Sequence, residues 1–192
     1  IGRQNQLPVW RVSLDNLPNK KYGVIYADPP WLFKTRSDKG KDKSPERHYP
    51  CLSLADICNL PVSDIAKPDS VLLMWVCDPM LDQAFKVIDA WGFKYKTVGF
   101  TWAKTNKNTM GFFTGLGYWT RGNPEMCLLA TRGKPKRLNK SIPQLVVSQR
   151  QEHSRKPDCV KDKIIQLCGD LPRIELFARR ETKGWDVWGN EV

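Results

Sequence analysis

The residues best equipped for chemistry stand together as Tyr26-Ala27-Asp28-Pro29-Pro30-Trp31. Proline has no N–H, so the backbone at Pro29 and Pro30 can only accept hydrogen bonds. Ionised Asp28 is likewise acceptor-only. Consecutive prolines keep the chain extended and stiff, so these acceptors are preorganised. Two converging acceptors suit a group with two N–H bonds, such as the exocyclic amine of an aminopurine. Trp31 adds an aromatic face for a base to stack on, worth about 1–3 kcal/mol. An adenine amine attacks poorly because its lone pair is delocalised into the ring. Acceptors drawing on both N–H bonds push the nitrogen towards a tetrahedral geometry and free that pair. Bond-making then needs a strong electrophile held in line, and a sulfonium methyl donor fits. Catalysis of that kind is mostly positioning and electrostatics. A proline-rich turn with a packing tryptophan is the plainer reading, and the four residues from Asp28 to Trp31 alone do not separate the two.

The elements that must position this platform are legible on either side of it. Strand-like runs occupy 24–27, 71–77, 94–100, 126–131, 145–148 and 174–178. A helix is predicted at 53–60, opened by Ser53 as a cap and stopped by Pro61. A second spans 80–91, with Leu81, Phe85 and Ile88 at helical spacing and Gly92 closing it. A third covers 158–167, with Val160, Ile164 and Leu167 on one face. Strands alternating with helices predict an α/β fold, a mostly parallel sheet covered on both faces. Two long connections, 32–49 and 105–123, follow strand ends, where open α/β sheets bind their ligands. The first is rich in basic residues; the second carries Phe112, Phe113, Tyr118 and Trp119 among glycines. A further basic run, 132–140, contains no acid.

The bulk properties agree with a globular protein whose surface attracts polyanions. The chain has 192 residues, a length that predicts a single domain over 1–192. Its formal net charge of +11 attracts polyanions, nucleic acid first. No apolar run approaches the roughly 18 residues of a membrane span, and no signal peptide is evident, so no membrane partner is expected. Six cysteines without a C-x-x-C pair read as core residues of a reduced, intracellular protein. With only His48 and His153 beside them, no metal site is expected.

Tyr26 to Trp31 resembles the catalytic signature of S-adenosylmethionine-dependent amino methyltransferases. Its Asp-Pro-Pro-Trp form is similar to that of the MT-A70 family, which methylates the 6-amino group of adenine in RNA or DNA. That family includes the catalytic subunit of the eukaryotic messenger-RNA adenosine methyltransferase and many small bacterial and phage proteins. The supporting pieces are HYPCLS at 48–53, WGFKYKT at 91–97, TWAK at 101–104, GNPEMCLLATRGK at 122–134, EHSRKPD at 152–158, and IELFARR followed by GWDVWGNE. Together, in this order, they cover 22–191. The resemblance implies a circularly permuted Rossmann-like methyltransferase sheet, with the catalytic motif ahead of the cofactor-binding strand.

It also implies roles, residue by residue. Asp28, Pro29, Pro30 and Trp31 are the catalytic platform. Lys156 takes the carboxylate of S-adenosylmethionine, with Ser154 in the same wall. Arg179 bonds the cofactor ribose; the family often continues with His or Asn, whereas this chain has Arg180, Glu181 and Thr182, of which Glu181 or Thr182 could reach the ribose hydroxyls; and Asn190-Glu191 reads the adenine or ribose. Asp28 could also hold the cofactor ammonium. No G-x-G follows the 174–178 strand; an arginine segment stands there instead. From the residues themselves, Lys34, Arg36, Arg47 and Lys104 are candidates for phosphate contacts, and Tyr49 and Trp119 for stacking beside a flipped base. DNA is the favoured polymer, RNA the alternative, and an inactive scaffold subunit the alternative of another class. A homodimer or heterodimer is compatible with the family. In a bacterial or phage setting the protein would be cytoplasmic.

Overall fold

The computed structural model describes residues 10, 12–14, 16–32, 50–151 and 155–192. Its centre is a seven-stranded sheet in the order β5-β3-β4-β2-β1-β6-β7. The strands are β1 (Tyr22–Ala27), β2 (Ala66–Val76), β3 (Lys94–Thr105), β4 (Glu125–Arg132), β5 (Leu145–Gln149), β6 (Arg173–Leu176) and β7 (Asp186–Trp188). All pairings are parallel except those of β4, which runs against both β2 and β3. The expected mostly parallel α/β sheet is therefore present, with a single reversed strand set inside it.

Every residue of β1 is buried, as a strand covered on both faces requires. The pleat sorts its side chains. Ile25 and Ala27 join Leu72, Met74 and Val76 of β2 on one face, with α1 (Leu54–Asn59), α2 (Val62–Ile65) and α3 (Leu81–Ala90) packed against them. Val24 and Tyr26 join Leu73 and Trp75 on the other, where α4 (Cys159–Cys168) contributes Val160 and Ile164. Ser53 caps α1 as expected, its hydroxyl accepting from the Asp56 N–H at 3.1 Å. In α3 the buried side is Ala84, Val87 and Ile88, not the Leu81-Phe85-Ile88 stripe. Phe85 stays half-exposed and meets Tyr95 edge-on at 5.1 Å between ring centres.

The reversal of β4 decides where charge lies. The carboxyl ends of β1, β2, β3, β6 and β7 share one edge of the sheet, and β4 starts there with Glu125. Arg132, at the far end of β4, pairs with Ser70 near the start of β2. The basic run 132–140 thus begins about 23 Å from that edge, seven residue steps along the strand.

The segment predicted as a loop from 105 to 123 is folded. Phe112 bridges Thr105, and the Phe113 N–H bonds the Lys104 carbonyl at 2.8 Å. The Gly115 N–H reaches the Gly122 carbonyl at 2.7 Å, and the Asn123 side-chain amide ties the Lys104 carbonyl at 3.0 Å. Gly117 is obligatory, because a Cβ there would overlap the backbone of Thr120 and Gly122. Between β3 and β4, this hairpin-like lobe rises from the edge that carries Asp28.

Candidate active site

Asp28 follows the last residue of β1 and stands at the carboxyl edge. The parallel strand β2 fixes its height, since Ala27 pairs with Met74. Lys156 donates to Asp28 Oδ2 at 2.7 Å, and the same ammonium lies 3.2 Å from Glu125 Oε2. Glu125 in turn pairs with Lys104. Four groups of alternating sign therefore run Asp28, Lys156, Glu125, Lys104 along the edge, all substantially shielded from water. Beneath them the Lys156 ammonium sits 5.6 Å from the centre of the Trp75 ring. The Trp75 indole N–H is fixed by the Tyr26 hydroxyl at 2.6 Å.

Electrostatics separate the two carboxylates. Burial pushes the Asp28 carboxyl above its ordinary value, and the Lys156 ammonium only partly offsets this. Burial also works to raise Glu125, but Lys156 and Lys104 outweigh it and hold that carboxyl low. Lys156 loses hydration too, yet Asp28 and then Glu125 keep its ammonium well above the usual lysine range. The arrangement is a buried lysine locked charged between two acids.

The platform next to Asp28 differs from its sequence reading in one respect. The Pro29 carbonyl accepts from the Trp31 N–H at 2.8 Å, and the Pro30 carbonyl from the Leu52 N–H at 3.0 Å. Each carbonyl oxygen keeps a second lone pair. Trp31, however, is only 5% exposed and belongs to the core. It pairs with Leu52 in a short parallel bridge, and its indole donates to the Trp75 carbonyl at 3.2 Å. The expected open stacking face is therefore corrected: Trp31 is a wall that clamps the prolines to the end of β2.

A second group of predicted residues gathers at the neighbouring ends of β6 and β7. Arg179 Nε donates to Glu191 Oε1 at 3.0 Å across the two strand ends. Asn190 lies beside them, half-buried, while Glu181 is exposed. Phe177 turns the chain after β6 with a φ of +62°, a conformation usually left to glycine. The chain turns there directly after the end of β6. Gly189 passes so close to Ala178 that a Cβ would overlap its backbone nitrogen and oxygen. Gly189→Ala should therefore force the two strand ends apart and cost about 1–3 kcal/mol. A shifted denaturation midpoint would register that cost, and an unshifted one would contradict the close crossing.

Sequence reasoning missed three contributors. Glu125 lay inside a quoted motif without a role; its signal was an acid placed at the first residue of a strand. Lys161, 8% exposed, bonds Thr182 Oγ1 at 2.7 Å and pairs with Glu175 at 2.5 Å, fixing the turn after β6. Trp10 packs on Phe177 and Trp188 at 5.8 and 5.7 Å, so the N-terminal segment also supports this wall. Lys104, expected on phosphate, is instead engaged by Glu125. Trp119 is 91% exposed at the tip of the lobe. Lys34, Arg36, Arg47, Tyr49 and Ser154 lie outside the described residues. Among the described residues, no cluster of His, Cys, Asp and Glu is disposed to hold a metal, and no helix is long and apolar enough to cross a membrane.

The chain is similar to known proteins over most of its length. The MT-A70 family model matches residues 22–191. The type II methyltransferase M.MunI of a Mycoplasma species is 37% identical over 193 residues, covering 92% of this chain and 80% of that protein. An N(6)-adenosine-methyltransferase MT-A70-like protein of Arabidopsis thaliana is 28% identical over 89% of the chain. The human N(6)-adenosine-methyltransferase catalytic subunit METTL3 is 27% identical over 90% of it. This chain spans 24% and 28% of the length of those two proteins. The resemblance read from Asp28-Pro29-Pro30-Trp31 and the pieces behind it is borne out, and with it an adenine-N(6) methyltransferase on a Rossmann-like sheet: the chain belongs to the MT-A70 family.

Proposed function

We propose that this protein transfers a methyl group from S-adenosylmethionine to the 6-amino group of adenine in DNA. The observation that carries the reading is the Asp28 carboxylate, held at the carboxyl edge by Lys156 beside the paired ends of β6 and β7. The donor set fits the cofactor: a carboxylate for its ammonium, a lysine for its carboxylate, and Arg179, Asn190 and Glu191 near the close crossing of Gly189 and Ala178 for its nucleoside. Ser154 and Glu181 complete the proposed contacts. When bound, S-adenosylmethionine supplies an electrophilic methyl group on a sulfonium.

The chain's own residues orient the amine. Ionised Asp28 accepts one N–H, and the remaining lone pair of the Pro29 carbonyl accepts the other. Both acceptors are fixed before substrate arrives, the first by Lys156 and the second by the Trp31 clamp. Such preorganised groups act most strongly in a partly dehydrated crevice. Lys156 opposes the effect of burial on Asp28 and so favours the ionised, acceptor form of the carboxyl. Glu125 and Lys104 hold Lys156 in place. An intact Asp28-Lys156 pair is also what an inactive scaffold would not need to keep.

DNA is favoured because the type II methyltransferase relative matches over 92% of this chain and 80% of its own length, at higher identity than the adenosine methyltransferases. RNA is the second reading, supported by the adenosine in the names of those relatives. The test is transfer from labelled S-adenosylmethionine to duplex DNA, single-stranded DNA and RNA in parallel, with digestion to nucleosides. N(6)-methyladenine from DNA is the expected product. Label confined to RNA would overturn the choice of polymer, and methylcytosine or no transfer would overturn the reaction.

A further inference from the structure

The lobe between β3 and β4 has apolar tips on a rigid stem. Met110 is fully exposed, Trp119 is 91% exposed, and Phe112 and Leu116 are more than half exposed. The stem is anchored by the Asn123 amide and by the backbone bonds of Gly115 and Gly122. Arg150 lies 4.4 Å from the centre of the Phe113 ring at its base. Trp119 has a φ of +68°, a strained setting for a bulky residue, and Tyr118 meets its ring edge-on at 6.3 Å. A soluble surface gains nothing from holding tryptophan there in a strained turn, so the setting points to an occupant.

Charge and position identify the occupant. The lobe contains Lys107 and Arg121 and no acidic residue, on a chain of net charge +11. It is complementary to a polyanion. It joins the site directly, since Glu125 at its foot holds Lys156, and Lys156 holds Asp28. Six residue steps separate Trp119 from Glu125, so the tip lies within about 20 Å of Glu125 even along an extended chain. A target adenine in a duplex is paired and stacked, and its amine reaches Asp28 only after the base has left the helix. Proteins that open base steps commonly insert an apolar side chain between them.

We propose that the 106–123 lobe is a wedge for duplex nucleic acid, and that the Trp119 ring occupies the gap left by the extruded adenine. This rests on the function proposed above and adds to it how a duplex is opened. The ring replaces the stacking that the departing base gives up, and Lys107 and Arg121 hold the flanking phosphates.

Two measurements test it. In the first, wild type, Trp119→Ala and Trp119→Phe bind a mixed-sequence DNA duplex with or without one abasic site, which offers the gap ready-made. Wild type and Trp119→Phe should prefer the abasic duplex by about tenfold, and Trp119→Ala should lose the preference. In the second, methyl transfer to mixed-sequence duplex DNA and to the same DNA heat-separated is compared. Trp119→Ala should lose about tenfold on the duplex and keep its rate on single strands. An abasic preference that survives in Trp119→Ala would overturn the wedge, as would equal losses on both substrates. So would an unchanged duplex rate accompanied by a change in oligomeric mass, which would make the lobe a protein-docking surface. The binding experiment requires no turnover, so an inactive wild type would count against the methyltransferase reading and leave the wedge to be judged by the abasic preference.

Discussion

Replacing Asp28 by asparagine should lower methyl transfer by about 10²–10³-fold while the protein stays folded, the range found when one preorganised polar group is lost from an active site. The substitution is nearly isosteric at a strand end, and Lys156 keeps Glu125 as a partner. Chemically it is severe. The charge is lost, and an amide can turn its NH2 towards the substrate amine, opposing donor with donor. The pH profile provides an independent check. Asp28 acts only when ionised, and burial raises its carboxyl. Activity in the wild type should therefore fall as pH drops through a limb lying above the ordinary aspartate value of about 3.9. Because Asp28 and Glu125 share Lys156, that limb belongs to the coupled set. In Asp28→Asn the residual rate should lack it. A variant with wild-type rate and an unchanged acid limb would remove Asp28 from the reaction.

The sequence exposed what is local and hid what depends on pairing. Asp28-Pro29-Pro30 announces an acceptor platform because proline lacks an N–H wherever it sits. The strands around 24–27 and 126–131 are runs of apolar residues that no helix pattern explains. Ser53 and Pro61 bracket α1 by capping and by breaking, both nearest-neighbour effects. The misread residues have partners far along the chain. Trp31 looked open because nothing in its neighbourhood shows that Leu52 will pair with it and Trp75 accept its indole. Lys104 looked free because Glu125 is 21 residues away. The pattern of alternation predicted a parallel sheet, but not which strand is reversed. That reversal brings Glu125 to Lys156 and sends the 132–140 run to the opposite end. The left-handed turn at Phe177 shows only in its backbone angle, which no residue type discloses.

Lys156→Met should be the most damaging substitution for stability and should also weaken cofactor binding. Methionine keeps the length of the stem and removes the charge. Asp28 and Glu125 then lose their common cation in a shielded setting, the Lys156 side chain being only 11% exposed. Removing one partner of a buried pair costs about 3–5 kcal/mol. Lys104 still neutralises Glu125, and Asp28 is partly solvated, so the lower end, about 3 kcal/mol, is expected here. For a chain of this size that lowers the melting temperature by roughly 6–12 °C. The loss should depend on pH in a defined direction. In the wild type Lys156 and Lys104 hold the Glu125 carboxyl low. Its contribution is then present above the unfolded glutamate value of about 4.3 and is lost as pH falls through the folded one. Acidification should accordingly narrow the gap between wild type and variant, since protonated carboxyls need no cation. Adding Asp28→Asn to Lys156→Met should restore part of the stability, because the two losses are coupled through one contact. Titration with S-adenosylmethionine separates structure from function. If Lys156 receives the cofactor carboxylate, the double variant recovers its melting temperature in part while its affinity stays low. Wild-type affinity in the single variant would confine Lys156 to holding Asp28 and Glu125.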